Sequence, residues 1–225
     1  MNTYIILFVG IAILSYIVQA NLQSKFKKYS KMPLGNGMTG RDVAIKMLHD
    51  NGIYDVRVTS TPGTLTDHYN PTTRTVNLSE SVYSSNSVAA AAVAAHECGH
   101  AVQHSFGYAP LRMRSALVPV IQFTSSMSTW VIIIGLVLIN TSPVVFWLGI
   151  AMIAASALFS IITLPVEYNA SDRALQWLER SGTLSPYEME GATISLRWAA
   201  RTYLVAALSA IATLLYYVGL ARNND

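Results

Sequence analysis

Residues 115–166 read SALVPVIQFTSSMSTWVIIIGLVLINTSPVVFWLGIAMIAASALFSIITLPV, without one Asp, Glu, Lys or Arg. Roughly 20 apolar residues in a helix cross the hydrocarbon core of a bilayer. The stretch therefore holds two crossings, near 117–139 and 144–164, joined by the uncharged turn Asn140-Thr141-Ser142-Pro143. Two more apolar runs flank it. TYIILFVGIAILSYIVQANL (3–22) is followed rather than preceded by its basic residues, Lys25, Lys27, Lys28 and Lys31. That order fits a retained span and not a cleaved signal, which needs a basic segment ahead of its apolar core. The last run extends from Tyr203 to Leu220. The expected fold class is mainly α: an integral membrane protein with four transmembrane helices and a small α+β region.

Composition agrees. Of the 225 residues 52% are hydrophobic and 12% charged, against roughly one quarter charged in soluble domains. The net charge of +3 is explained by basic residues beside membrane ends, so no nucleic-acid partner is expected. Lys25 to Lys31, Arg112, Arg114, Arg173, Arg180, Arg197 and Arg201 all flank spans on one side. The positive-inside rule then puts a multi-pass protein in the cell membrane with both polar segments in the cytosol and both termini outside. The expected organisation is a span in 1–22, a cytosolic segment 23–115, two spans in 116–165, a cytosolic segment 166–202, and a span with a short tail in 203–225. A lone cysteine, Cys98, excludes an internal disulfide framework.

Within the first polar segment, Thr39 can cap a short helix, RDVAIKMLHD (41–50), that stops at Asn51-Gly52. IYDVRVTS (53–60) alternates like a strand. LTDHYNPTTRTVNLS (65–79) reads as a β-hairpin turning at 70–73. Asn86 or Ser87 can cap a long helix ending near Gly107. In the second polar segment EYNASDRALQWLERSG (167–182) reads as helix, and Ser185-Pro186-Tyr187-Glu188 is a capping box that starts another.

The long helix carries HECGH (96–100). Residues four apart share a helix face, so His96 and His100 can aim both imidazoles at one ion. Glu97, one position on, is placed to take a proton from the attacking water, the division of labour of HExxH. Zinc suits such donors and makes hydroxide available near neutral pH. Upstream alanines let other helices pack closely and enclose the site. Two histidines do not complete it. The glycine and histidine of the metzincin extension would fall at Gln103 and Phe106 and are absent. His104 lies about 6 Å further along the helix than His100, too far for one tetrahedral ion. A distant carboxylate remains, and Glu167 is the strongest candidate, with Asp172, Glu179, Glu188 and Glu190 as rivals.

HECGHAVQH, preceded by LTDHYNPTTRTVNLSESVY (65–83) and followed by LPVEYNASDRAL (164–175), resembles the membrane-embedded neutral zinc metallopeptidases over nearly the whole chain. The resemblance implies a gluzincin-like catalytic region, one Zn2+ per chain held by His96, His100 and Glu167, and Glu97 as catalytic base. There is a partial likeness to membrane proteases of the Ste24 and HtpX type, whose third-ligand helix carries a Glu and an Asp separated by three residues. Here Glu167 and Asp172 are separated by four, and Asn169 lies nearer the expected turn.

Around this centre, His68 and Tyr69 could donate to a developing oxyanion. His104, Asn169, Asp172 and Tyr69 are candidates for supporting a ligand or facing substrate. Thr75–Ser79 is expected to be an edge strand that holds an extended peptide. His49 suits a helix C-terminus, and Cys98 reads as a small buried residue. The expected activity is a membrane zinc metalloendopeptidase acting on a protein or peptide, membrane proteins among the candidates, with the lipid bilayer as its other partner. The alternative is a non-catalytic membrane scaffold or assembly factor with a structural zinc, which needs four protein donors. A metal transporter would need ionisable residues within its spans, and these have none.

Overall fold

In hydrocarbon a backbone must satisfy its own polar groups, so each long apolar run forms a helix. The computed structural model of the protein describes residues 2–222. Its helices are α1 (Asn2–Tyr29), α2 (Gly40–Asp50), α3 (Glu80–Tyr83), α4 (Val88–Ser105), α5 (Ala109–Leu138), α6 (Val144–Arg180) and α7 (Pro186–Arg222). Three short strands, β1 (Arg57–Thr61), β2 (His68–Asn70) and β3 (Thr75–Ser79), complete a mainly α membrane protein. Four helices, α1, α5, α6 and α7, are long and apolar enough to cross a membrane.

The expected spans and the polar helices beside them turn out to be single elements. α6 runs through Pro165 into VEYNAS, and α7 runs from its Ser185 cap to the last apolar residues. A change from apolar to polar side chains alters the preferred solvent and leaves helix propensity almost untouched. A proline removes one backbone bond and bends a helix more readily than it ends one in such surroundings.

The chain divides into two compact units. The apolar unit comprises Arg112–Pro165 with the helical segments before Val18 and after Arg201. Ile132, Phe146, Ile150 and Ala221 form its small core. Large apolar side chains such as Ile6, Val137 and Val144 are exposed, an arrangement that fits lipid contact.

The polar unit, Val18–Leu111 with Val166–Arg201, has a core of its own. α2 contributes Val43, Ala44, Met47 and Leu48; the sheet Val76 and Leu78; α4 its alanines; α6 Ala174 and Leu178. Each large member contributes about 2 kcal/mol by leaving water. The sheet order is β1-β3-β2, with β1 parallel and β2 antiparallel to β3. The predicted hairpin is β2–β3, its turn closed by Asn70 Oδ1, which accepts from the amides of Thr72 and Thr73. The segment from 62 to 67 carries the chain past β3, so Thr75–Ser79 is the central strand. That corrects its expected place at the edge: β1 pairs along its whole length on one side and β2 pairs with Thr75 to Asn77 on the other.

α4 starts where Ser87 Oγ accepts from the Ala90 amide and stops at Gly107, whose φ of 64° suits a residue without Cβ. α2 starts with a full capping box, in which Thr39 Oγ1 accepts from the Asp42 amide and Asp42 accepts from the Thr39 amide. The Thr39 hydroxyl and amide hold the Asp42 carboxyl below the usual aspartate range. A carboxyl depressed in the folded state stabilises it above the unfolded value of about 3.9, and the contribution fades as pH falls through the folded value. Thr39→Ala should cost about 1 kcal/mol in thermal or denaturant unfolding. Asp42→Asn should lower Tm at pH 7, and the gap to the parent should close below about pH 4 as the parent loses its charge. A gap that stays constant with pH would rule the carboxylate out.

Candidate metal centre

The centre is built where α4 meets α6 within the polar unit. Small residues on α4 allow a close approach, and Gly99 is the limiting one. A Cβ at Gly99 would stand 2.5 Å from the Ala170 carbonyl oxygen of α6, inside any tolerable contact. The second variable position of the HECGH motif is thus occupied by the residue that lets α6 come near enough to reach it.

On α4, His96 and His100 stack edge to face, with ring centroids 4.9 Å apart. From α6, Glu167 Oε2 stands 3.3 Å from His96 Nε2 and 3.5 Å from His100 Nε2. One donor atom from each of the three residues falls within 4.8 Å of the others. Two donors bound 2.0–2.1 Å from a tetrahedral zinc stand about 3.3 Å apart, so the two nitrogen–oxygen separations fit that ion. Glu167 is 1% exposed and His100 7%. A carboxylate so deep in protein needs a charge partner, and a divalent cation would supply one.

The opposite edges of both rings are also held. His96 Nδ1 lies 3.1 Å from Ser171 Oγ, and His100 Nδ1 lies 3.0 Å from Gln103 Oε1. Hydrogen bonds there leave Nε2 of each ring as the atom directed at Glu167. Ser171 is one helical turn beyond Glu167 and Gln103 one turn beyond His100, and neither is picked out by sequence pattern. The only available signal was their spacing from the ligand candidates.

Glu97 is buried beside this group. Burial pushes its carboxyl up to about 7; Glu167 and Asp67 act in the same direction, and His96 and the Tyr69 amide oppose them. A carboxyl balanced near neutrality can both take up and release a proton. The backbone amide of Tyr69 donates to Glu97 Oε2 at 3.0 Å, so β2, the edge strand beside α4, anchors the acid.

Residues 4–222 match the family described as "Putative neutral zinc metallopeptidase". The chain belongs to this family. It is 41% identical to "Putative membrane protease YugP" of Bacillus subtilis (strain 168) over 221 residues, 98% of this chain and 97% of that protein. No solved structure matches it.

In this family member the remaining candidates are spread over distinct places. Tyr69 and His104 form a pair, with Tyr69 Oη 2.8 Å from His104 Nδ1; burial pushes the Tyr69 phenol up, keeping it protonated. Both line a depression of about 190 Å³ with Ala101, Ser105, Asp55 and Arg74. His68 goes elsewhere. Successive strand residues face opposite sides of a sheet, and its exposed ring lies between the Thr66 carbonyl and Asn77, away from the Tyr69 side. Asp172 is exposed, and Ser171 holds the place beside His96 that Asp172 was a candidate for. Asn169 Oδ1 accepts from Gln103 Nε2 and Arg173 Nε. Glu188 serves the α7 cap, accepting from the Ser185 and Gly35 amides. Cys98 donates to the Ala44 carbonyl, and burial pushes its thiol well up, so it is no thiolate donor.

If Glu167 completes the donor set, Glu167→Ala should leave purified protein with a small fraction of the parent's zinc by elemental analysis. Unchanged zinc in that variant would displace Glu167 as the third ligand.

Proposed function

We propose that the protein is a membrane zinc endopeptidase of gluzincin type that hydrolyses peptide bonds with Glu97 as general base. The reading is carried by one observation: three donors at zinc spacing, with the Glu97 carboxyl buried on the helix that carries two of them. Zinc bound by His96, His100 and Glu167 would polarise the scissile carbonyl and make a water acidic enough to lose its proton near neutral pH.

The chain's own groups do the rest. The Tyr69 amide fixes Oε2 of Glu97 and leaves Oε1 to accept the proton of the attacking water. The same carboxyl then returns that proton to the departing amine. An extended substrate would lie along the β2 edge, main chain to main chain, with one side chain directed into the depression that Tyr69 and His104 line. The substrate is a protein or peptide, and a membrane protein suits an enzyme with four spans.

The scaffold alternative calls for a closed four-donor site. Among the described residues the donor group has three members, which favours the open position of a catalytic centre. Glu97→Gln should keep the parent's zinc content and lose peptidase activity by at least about 10²-fold, the lower range for a general base. Peptide cleavage at the parent rate in that variant would overturn the assignment.

The basic residues flanking the spans further support a cytosolic centre with both termini outside. Glu80→Cys in intact cells should resist a membrane-impermeant thiol reagent and react after permeabilisation. Labelling of intact cells would reverse the orientation.

A further inference from the structure

We propose that Gln103 is a positioning residue that sets the protonation of His100 and the register of α6 with a single amide, and so makes a zinc site of three residues from two helices. The proposal rests on the reading of His96, His100 and Glu167 as that site.

Gln103 is fully buried, and a buried primary amide must place one acceptor and two donors. Oε1 faces His100 Nδ1 at 3.0 Å. Nε2 donates to the Val166 carbonyl at 2.8 Å and to Asn169 Oδ1 at 3.0 Å. The amide cannot be reversed. The Val166 carbonyl only accepts, and Asn169 Oδ1 also accepts from Arg173 Nε at 2.7 Å, a group that only donates. Two one-way groups on α6 therefore fix which end of Gln103 faces His100. Since that end is an oxygen, His100 Nδ1 must carry the proton, and Nε2 is left with the lone pair that faces Glu167.

His96 has no such constraint. Its partner, the Ser171 hydroxyl, can donate or accept and adapts to either tautomer. The polarity of the centre is thus written at His100.

The second role is mechanical. Val166 immediately precedes Glu167, and Asn169 follows by two, so the two bonds from Gln103 Nε2 grip α6 on both sides of the carboxylate. Together with the Gly99 contact they fix how far along α4 that carboxylate stands. A carboxylate at position 103 could orient His100 equally well, but its second oxygen would meet the Val166 carbonyl and Asn169 Oδ1 without a proton to offer. Glutamine satisfies both demands.

The test uses full-length protein in detergent, with zinc affinity from competition against a chromophoric chelator and the visible spectrum of the cobalt(II) form. Gln103→Met removes both functions, and isosteric Gln103→Glu removes only the grip on α6. Each should keep the parent's circular dichroism yet bind zinc about 10- to 100-fold more weakly, the range for partners of metal ligands, with an altered cobalt spectrum. Parent-like affinity and spectrum in Gln103→Glu would overturn the grip on α6; parent-like values in both variants would overturn the proposal entire. If Gln103→Met does not fold, Gln103→Glu decides alone. His96→Ala and Glu167→Ala separate the two levels. Zinc lost in these but kept in both Gln103 variants sinks only this proposal, whereas zinc kept in all four sinks the metal centre itself.

Discussion

Two helix backbones reach contact distance only where one of them lacks a Cβ, and between α4 and α6 that condition is met at Gly99. A methyl there would have to displace the Ala170 carbonyl by about 1 Å to reach an ordinary contact. Metal bonds tolerate deviations of only about 0.2 Å, so on the proposed reading the displacement would be carried one turn back to Glu167 as a lost ligand distance. The alanines around the motif serve the same end. Ala91, Ala92 and Ala95 on α4 and Ala170 and Ala174 on α6 are fully buried, small side chains that leave room for neighbouring elements to pack closely.

That close packing sets the electrostatic problem the centre has to solve. Glu97, His100 and Glu167 are all at least nine-tenths buried, and an unpartnered charge in such a place costs several kcal/mol. Each is answered by a group of fixed polarity or by another member: the Tyr69 amide for Glu97, the Gln103 amide for His100, the two imidazoles for Glu167. The supporting groups are neutral. An amide and a hydroxyl stand behind the histidines where a carboxylate often does, so these supporting groups add no negative charge to that of Glu167 and Glu97. Adding a further carboxylate would raise the Glu97 carboxyl more and compete for the same cation.

Much of the fold was legible because its signals are strong and local. A charge-free run as long as 115–166 has few homes other than a bilayer, and Thr39, Ser87 and Ser185 announce helix starts through side-chain chemistry that operates within one turn. HECGH identified two donors and an acid for the same reason, since i and i+4 is a property of any helix. What was not legible depends on pairing between distant segments. Nothing in TVNLS tells whether it has one neighbour or two; the parallel pairing with β1 is set by the path of 62–67, and it moves the sheet edge to β2. The continuity of α6 through Pro165 escaped because a proline and a polarity change together resemble an ending. Gln103 and Ser171 were hidden more deeply. Their types are ordinary on any helix face, and their roles exist only once α4 and α6 are side by side.

The hairpin and α6 therefore support different halves of the chemistry. On the proposed reading α6 brings the third donor, the Ser171 hydroxyl behind His96 and the groups that hold Gln103, all of which would act on whether a metal is bound and in what geometry. β2 holds Glu97 through the Tyr69 amide and His104 through the Tyr69 hydroxyl. On the proposed reading, damage to the α6 side is expressed as lost zinc, and damage to β2 as slow proton transfer with zinc retained. On the same reading, the strand that would receive the substrate is also the one that positions the base, so peptide docking and the placement of Glu97 Oε1 would both depend on one short piece of backbone, three residues long. Such an arrangement ties the reactivity of the base to the same main chain that aligns the scissile bond, and it explains why a strand this short is held so firmly at its start, where Asp67 accepts from both the amide and the hydroxyl of Ser79.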